Sequence, residues 1–319
     1  KNNKVILMTI LVTGGSGFLG KSLVKSLIKN GEEVISLSSK EADLCDSNSL
    51  NQYSNIKFKK IYHLAAWTQA GDFCLYHPGE QWIINQQINT TVLKWWSEIQ
   101  PQAMLITMGT SCSYEEGVDL KEEFYLQGNP IDDLYTYAMT KRMMYIGQQS
   151  LAKQYGLKFL TVVPSTLYGP DYHIDGKQMH FIFDLSWKIL SSKHFGDDIV
   201  LWGDGYQRRE IVFIDDFIRD LFSLEKIVEN DVVNIGANTD YSIREFAHIL
   251  CNLTGVDSSI IKYDETKYVG SKVKRLCTKK EESLLGKLER IDLKEGLGKM
   301  LSWLEPRFVE YKSKTSKNN

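Results

Sequence analysis

Apolar and polar positions alternate along the first half of the chain in two distinct ways. Residues 10–13, 34–37, 61–64, 104–108 and 159–163 are short apolar runs rich in β-branched side chains, which predicts buried strands. Between them, residues 18–29, 81–99 and 137–154 carry their apolar positions at helical period. Short strands alternating with amphipathic helices imply βαβ units. The expected fold class is therefore α/β, a doubly wound parallel sheet covered on both faces. After Pro164 the pattern loosens, and glycine, proline and polar turns break up the rest of the chain. Residues 1–165 read as one domain, with 207–235 returning to it through a strand-like run at 210–214. Residues 166–206 and 236–305 read as a smaller mixed α/β domain, and 306–319 as a flexible tail.

Composition narrows the class of protein. With 43% hydrophobic residues in 319, the chain can bury a full core and is not a disordered segment. A formal net charge of -2 argues against a nucleic-acid or membrane-surface binder. The longest apolar run, residues 5–12, is too short to span a bilayer and leads into a glycine turn, so it reads as a strand and not as a secretion signal. The five cysteines are odd in number and contain no C-x-x-C pair, so neither a disulfide framework nor a zinc knuckle is expected. No metal is expected, and a reducing cytoplasm suits this cysteine usage.

Gly14, Gly17 and Gly20 stand three apart, directly after the first predicted strand and at the start of a helix. Gly14 suits the tight turn, Gly17 lets a pyrophosphate approach the backbone, and Gly20 lets helix and strand pack closely. A plain strand-turn-helix connection uses similar residues, but this position in an alternating chain favours a Rossmann-type dinucleotide site. The end of the second strand reads Leu37-Ser38-Ser39-Lys40, with neither an acid for a ribose nor an arginine for a 2′-phosphate. NAD is favoured there, with NADP open because Lys40 offers a point charge.

Tyr137 and Lys141 lie four apart on one helix. Three other tyrosine–lysine pairs share that spacing, but only Tyr137 opens a long helix after the fourth strand, behind the hydroxyl-rich run Gly109-Thr110-Ser111-Cys112-Ser113-Tyr114. A phenol with a pKa of ~10 becomes a useful base at neutral pH only if lowered by ~2–3 units, roughly 3–4 kcal/mol of charge stabilisation. A nearby ammonium and an oxidised nicotinamide are the expected sources. Tyr137 would then remove a hydroxyl proton while hydride leaves the same carbon, with Thr110 holding the oxygen.

With these residues assembled, the chain resembles the extended short-chain dehydrogenase/reductases, the nucleotide-sugar epimerase and dehydratase group. The resemblance spans residues 9–300 and rests on Thr13 to Gly20, His63-Leu64-Ala65-Ala66, Tyr137-x-x-x-Lys141 and Tyr168-Gly169-Pro170. Within that group it is similar to the GDP-L-fucose synthase family, through Gly109 to Tyr114, Pro78 with Asn85, Pro164 to Pro170, and Leu201-Trp202-Gly203-Asp204-Gly205 followed by Arg209-Glu210. The resemblance implies cofactor contacts from Gly14, Gly17, Phe18, Leu19, Gly20, Ser38, Lys40, Asp43, Leu44, Leu64, Ala65, Ala66, Tyr137, Lys141 and Pro164. It implies catalysis by Tyr137, Lys141, Thr110, Cys112 and His180, and contacts to a GDP-linked sugar from Thr166, His180, Lys188, Trp202 and Arg209.

Departures fall where substrate and cofactor are chosen. Thr110 stands for the family serine, Thr166 for its asparagine and Lys188 for an arginine. The stretch from Trp67 to Leu75 is foreign to the fucose enzymes and, with residues 172–183, is similar to bacterial GDP-manno-heptose 4-dehydrogenases of capsule pathways. The expected activity is thus hydride transfer at C4 of a GDP-linked manno sugar, first as a 4-dehydrogenase in polysaccharide sugar synthesis. A 3,5-epimerase/4-reductase and an NDP-sugar 4-epimerase are the alternatives, and a dinucleotide-binding redox sensor is the non-enzymatic one. Cys112 and His180 read either as an acid–base pair beside a 4-keto group or as a small buried residue and a sugar hydrogen-bonder. Arg209 reads as a phosphate fork or as an ion pair with Asp204. His63 reads as a satisfied core histidine. A homodimer is expected through residues 88–98 and 141–154, because Val92, Trp95, Trp96, Met143, Met144 and Ile146 exceed what one subunit's sheet should cover.

Overall fold

The computed structural model describes residues 8–70, 73–117, 119–267 and 269–315. In chain order it holds β1 (Thr9–Thr13), α1 (Phe18–Lys29), β2 (Val34–Leu37), β3 (Phe58–His63), α2 (Phe73–Tyr76), α3 (Pro78–Ile99), β4 (Met104–Met108), α4 (Tyr135–Tyr155) and β5 (Phe159–Pro164). Then come β6 (Thr166–Tyr168), α5 (Phe181–Phe195), β7 (Val200–Trp202), β8 (Arg208–Arg209), β9 (Ile211–Phe213), α6 (Ile214–Leu224) and β10 (Asp231–Ile235). The last part adds β11 (Tyr241–Ser242), α7 (Ile243–Thr254), β12 (Lys262–Asp264), β13 (Val273–Lys274), α8 (Lys279–Leu285) and α9 (Leu293–Thr315).

Six strands form one sheet in the order β10-β5-β4-β3-β1-β2, and every neighbouring pair is parallel. The expected parallel α/β sheet is present. Both faces are covered, and β1 and β4 are buried at every position. α3 and α4 cover one face through Val92, Trp96 and Met144, and α1 and α6 cover the other through Leu23, Leu27, Phe217 and Leu221. A third core joins α5, α7 and α9. The order reverses at β1, which has β2 on one side and β3 on the other. A crevice for a ligand opens there, outside the carboxyl ends of the strands.

Three expectations need correction. The strand-like run at 210–214 forms β9, which pairs with β6 and stays outside the large sheet. It is β10 that lies against β5. The supposed tail from residue 306 is helical up to Thr315, because α9 runs through Pro306 and buries Phe308 completely; residues 316–319 lie outside the described residues. Finally, Val92, Trp95, Trp96 and Met144 are buried in the subunit's own core, and only Met143 and Ile146 of the six proposed interface residues are exposed. Among the described residues no helix is long and apolar enough to cross a membrane.

Candidate active site

The first turn after β1 is built to leave space beside it. Gly14 has a φ of 70°, and a Cβ there would stand 2.7 Å from the amide nitrogen of Ala65. A Cβ at Gly20 would overlap the Gly14 carbonyl oxygen, so α1 packs against the turn only with glycine at that position. Ser16 and Gly17 are exposed, and α1 starts with no side-chain cap and no acid in its first turn. This cradle fits a dinucleotide pyrophosphate, which would accept the free N–H groups at the helix start. Phe18 turns its ring away, edge-on to Tyr172 at 5.2 Å and Phe183 at 5.8 Å, tying the turn to the third core. Leu19, Leu64, Ala65, Ala66 and Pro164 are half-buried along the same crevice.

At the end of β2, Ser38 donates its N–H to Glu41 at 2.8 Å and its hydroxyl at 2.5 Å. Those bonds hold the Glu41 carboxyl below its ordinary value. A carboxylate therefore stands just beyond the end of β2. One signal for it stood in the sequence and was missed there, the spacing Ser38-x-x-Glu41. Lys40 and Asp43 are exposed, Leu44 is buried in the core, and Asp43 accepts the Cys45 N–H at 3.0 Å. His63 shares 2.7 Å with Thr13 Oγ1, and burial pushes it down to about 3, so it is a neutral, satisfied core histidine.

Thr110 caps the short turn after β4, its hydroxyl accepting the Cys112 N–H at 3.2 Å. Its side chain lies close enough to the Tyr137 phenol to favour the charged form, a smaller effect than burial. Lys141 lies one turn further along α4, its Nζ 5.9 Å from the centre of the Tyr137 ring. The three residues are thus brought together. The electrostatics differ from expectation: burial, then Cys112 and Cys74, push the Tyr137 phenol up, and the ammonium does not offset them. Burial alone brings Lys141 down to about 8. Without cofactor, Tyr137 is a neutral phenol.

Cys112 does not rest against His180. Its Sγ meets Lys274 Nζ at 2.9 Å. Burial pushes this thiol up, but Lys274 and hydrogen bonds from Thr110 and Ser111 outweigh it and bring the thiol below its ordinary value. His180 is the residue before α5, buried, and lowered to about 4 by burial, then Lys274 and His173. Lys274 therefore faces both residues, and no sequence motif marked it. Thr166, Arg209, Ser111 and Lys274 line one small cavity. Arg209 makes no ion pair with Asp204; its guanidinium donates to the carbonyls of Arg208, Ser271 and Val269, each at 2.8 Å. Lys188 pairs with Asp184 at 2.9 Å. Trp202 is exposed, with Lys267 Nζ 6.0 Å from the centre of its ring.

A parallel sheet with a glycine cradle at its switch point, and a threonine, tyrosine and lysine at the end of β4 and the start of α4, defines a dinucleotide-dependent oxidoreductase. The chain belongs to the NAD dependent epimerase/dehydratase family, whose profile matches residues 10–236. It is an enzyme of that family and uses NAD(P). It is 27% identical over 305 residues to GDP-L-colitose synthase of Yersinia pseudotuberculosis, covering 92% of this chain and 96% of that one. Its fold is similar to a GDP-L-fucose synthetase from Naegleria fowleri bound to NADP, with a TM-score of 0.83, 21% identity and 95% of each chain covered. A GDP-6-OMe-4-keto-L-xylo-heptose reductase from C. jejuni gives a TM-score of 0.85 at 21% identity, covering 94% of this chain and 98% of that one.

Proposed function

We propose that the chain is a GDP-sugar C4 oxidoreductase that moves protons beside a 4-keto group and then reduces it, in the synthesis of a bacterial polysaccharide sugar. The observation that carries this reading is the short turn that joins Thr110 to Cys112, with the Cys112 sulfur 2.9 Å from the Lys274 ammonium, set beside Tyr137 and Lys141 of α4. The two hydroxyls would bind the sugar O4. Tyr137, held as a neutral phenol, would give its proton to O4 as negative charge develops there, and the Lys141 ammonium would stabilise the phenolate left behind. A dinucleotide whose pyrophosphate lies in the Gly14–Gly20 cradle would supply hydride to C4 from its nicotinamide. Trp202 offers an exposed indole face for a purine base. The relatives support this choice, since the colitose and fucose enzymes and the heptose reductase are all named for GDP-linked sugars.

A screen of GDP-4-keto sugars with NADPH and NADH, followed by nicotinamide absorbance, tests the reading. Net oxidation of reduced cofactor is expected, with GDP binding tighter than UDP in titration calorimetry. Equal or tighter UDP binding removes the GDP assignment. A second reading, an NAD-linked GDP-heptose or GDP-hexose 4-dehydrogenase, is favoured by one observation, the Glu41 carboxylate at the end of β2. Reduction of NAD by a GDP-hexose or GDP-heptose, with no reaction of the 4-keto sugar, would decide for it. In both readings the protein works in the cytoplasm and pairs as a homodimer, with Met143 and Ile146 of α4 in the interface.

A further inference from the structure

We infer that Lys274 is a positioning residue for Cys112, its ammonium holding the sulfur as a thiolate that takes the proton from the carbon beside the sugar's 4-keto group. The proton-transfer part of this inference rests on the reduction reading above; the ammonium–thiolate pair does not. The Nζ–Sγ separation is 2.9 Å, a charge-assisted contact. Lys274 reaches it from β13, directly opposite Arg209 in the β8–β13 register. Among the described residues Lys274 makes no ion pair with a carboxylate, so the sulfur is the group able to neutralise it. A half-buried ammonium against a half-buried thiol is stabilised when the proton leaves sulfur.

The other groups facing Cys112 do not serve this purpose. Tyr137 on α4 and Tyr125 are phenols that burial pushes up, Thr110 and Ser111 give hydroxyls, and His180 at the start of α5 is neutral and faces Lys274. Among these described residues, Lys274 is the one that brings positive charge to the sulfur. In the step itself, the C–H bond beside the ketone breaks and an S–H bond forms. The electron pair moves into an enolate whose oxygen Thr110 and Tyr137 hold. The S–H proton then exchanges with solvent, and the carbon regains a solvent-derived proton.

The test is the pH dependence of Cys112 alkylation by iodoacetamide, read by peptide mass spectrometry on the purified protein. The wild-type inflection should lie below the ordinary thiol value of about 8.5. Lys274→Met should raise it by about one pH unit or more and slow alkylation at pH 7 about tenfold, whereas Lys274→Arg should keep it near the wild type. Superimposed wild-type and Lys274→Met profiles overturn the inference. So does a loss of GDP affinity in Lys274→Met with the thiol profile unmoved, which would make the lysine a phosphate ligand only. The second arm incubates a GDP-4-keto sugar with protein in deuterated water without reduced cofactor. Uptake beside C4 in the wild type, slowed about tenfold or more in Lys274→Met and restored in Lys274→Arg, is expected. Uptake equal in wild type and Lys274→Met overturns the role of the lysine. No uptake in the wild type, with a shifted thiol profile, refutes the proton step and leaves the ammonium–thiolate pair standing.

Discussion

Replacing Lys141 with methionine should make the cofactor-free protein more stable while abolishing its activity. Burial is the single cause that brings this ammonium from the ordinary 10.5 to about 8, and no carboxylate compensates for it. It also lies close enough to His63 to help hold that ring neutral. The difference between 10.5 and about 8 corresponds to about 3 kcal/mol of destabilisation at pH 7. Because solvent still reaches part of the side chain, about 2 kcal/mol is the better figure. Methionine is close in length and carries no charge to desolvate.

The pH dependence gives this prediction a second, independent handle. Below about pH 8 both folded and unfolded chains hold the Lys141 proton, so the penalty is fully present. Between about 8 and 10.5 the unfolded chain binds the proton more often, and wild-type stability rises with pH relative to the variant. Urea unfolding of both cofactor-free proteins at pH 7 and near pH 10.5 measures it. The Lys141→Met advantage should be about 2 kcal/mol at pH 7 and close to zero at the upper pH. A variant less stable than wild type at pH 7, or an advantage that does not shrink as pH rises, refutes the argument that burial alone sets this lysine.

Tyr137→Phe should lower kcat by about 10²–10⁴ while leaving cofactor binding and stability nearly unchanged, since only the phenol hydroxyl is removed and the ring stays. Single-turnover hydride transfer measures it, and more than a tenth of wild-type kcat would remove Tyr137 from the chemistry. Glu41→Arg should shift the ratio of NADPH to NADH affinity at least tenfold toward NADPH, because the carboxylate that repels a 2′-phosphate becomes its partner. Fluorescence titration reads this, and a ratio unmoved by the substitution places Glu41 away from the ribose. Sedimentation velocity at micromolar concentration should give a dimer, and Met143→Glu with Ile146→Glu should dissociate it, as both are exposed on α4. A wild-type monomer ends that proposal.

Five of the six strands of the sheet were legible, β10 being the exception, because a doubly covered parallel sheet leaves apolar runs such as 104–108 with no polar alternation. Side-chain destination was less legible than element type. Trp95 and Trp96 looked like surplus apolar surface on α3, yet both point into the core, where the Trp96 indole donates to the Ala103 carbonyl at 2.8 Å. Helical period fixes which residues share a face and says nothing about how much that face covers. Arg209 matched a phosphate-binding pattern, yet its guanidinium holds three backbone carbonyls. Lys274 was invisible for a different reason: only the parallel pairing of β13 with β8 brings it across 162 residues of sequence to Cys112.

Arg142 shows most clearly what a motif leaves out. It directly follows Lys141, and an arginine in the middle of an amphipathic helix reads as a solvated side chain. It is instead buried, with 4% exposed, and its guanidinium donates to the carbonyls of Ser113, Gln127 and Gly128. Ser113 in turn donates its hydroxyl to the Ala138 carbonyl at 3.3 Å. Residues 110–113 are therefore fastened to α4 through Arg142 and the Ala138 carbonyl. One face of the helix presents Tyr137 and Lys141, and its neighbouring face fixes the turn bearing Thr110 and Cys112. Catalytic groups must be held to a fraction of an ångström, and side chains with packed, hydrogen-bonded supports achieve that better than a free loop. The Tyr137-x-x-x-Lys141 spacing supplies the reacting groups, and the arginine one position later supplies their registration with the hydroxyl and the thiol.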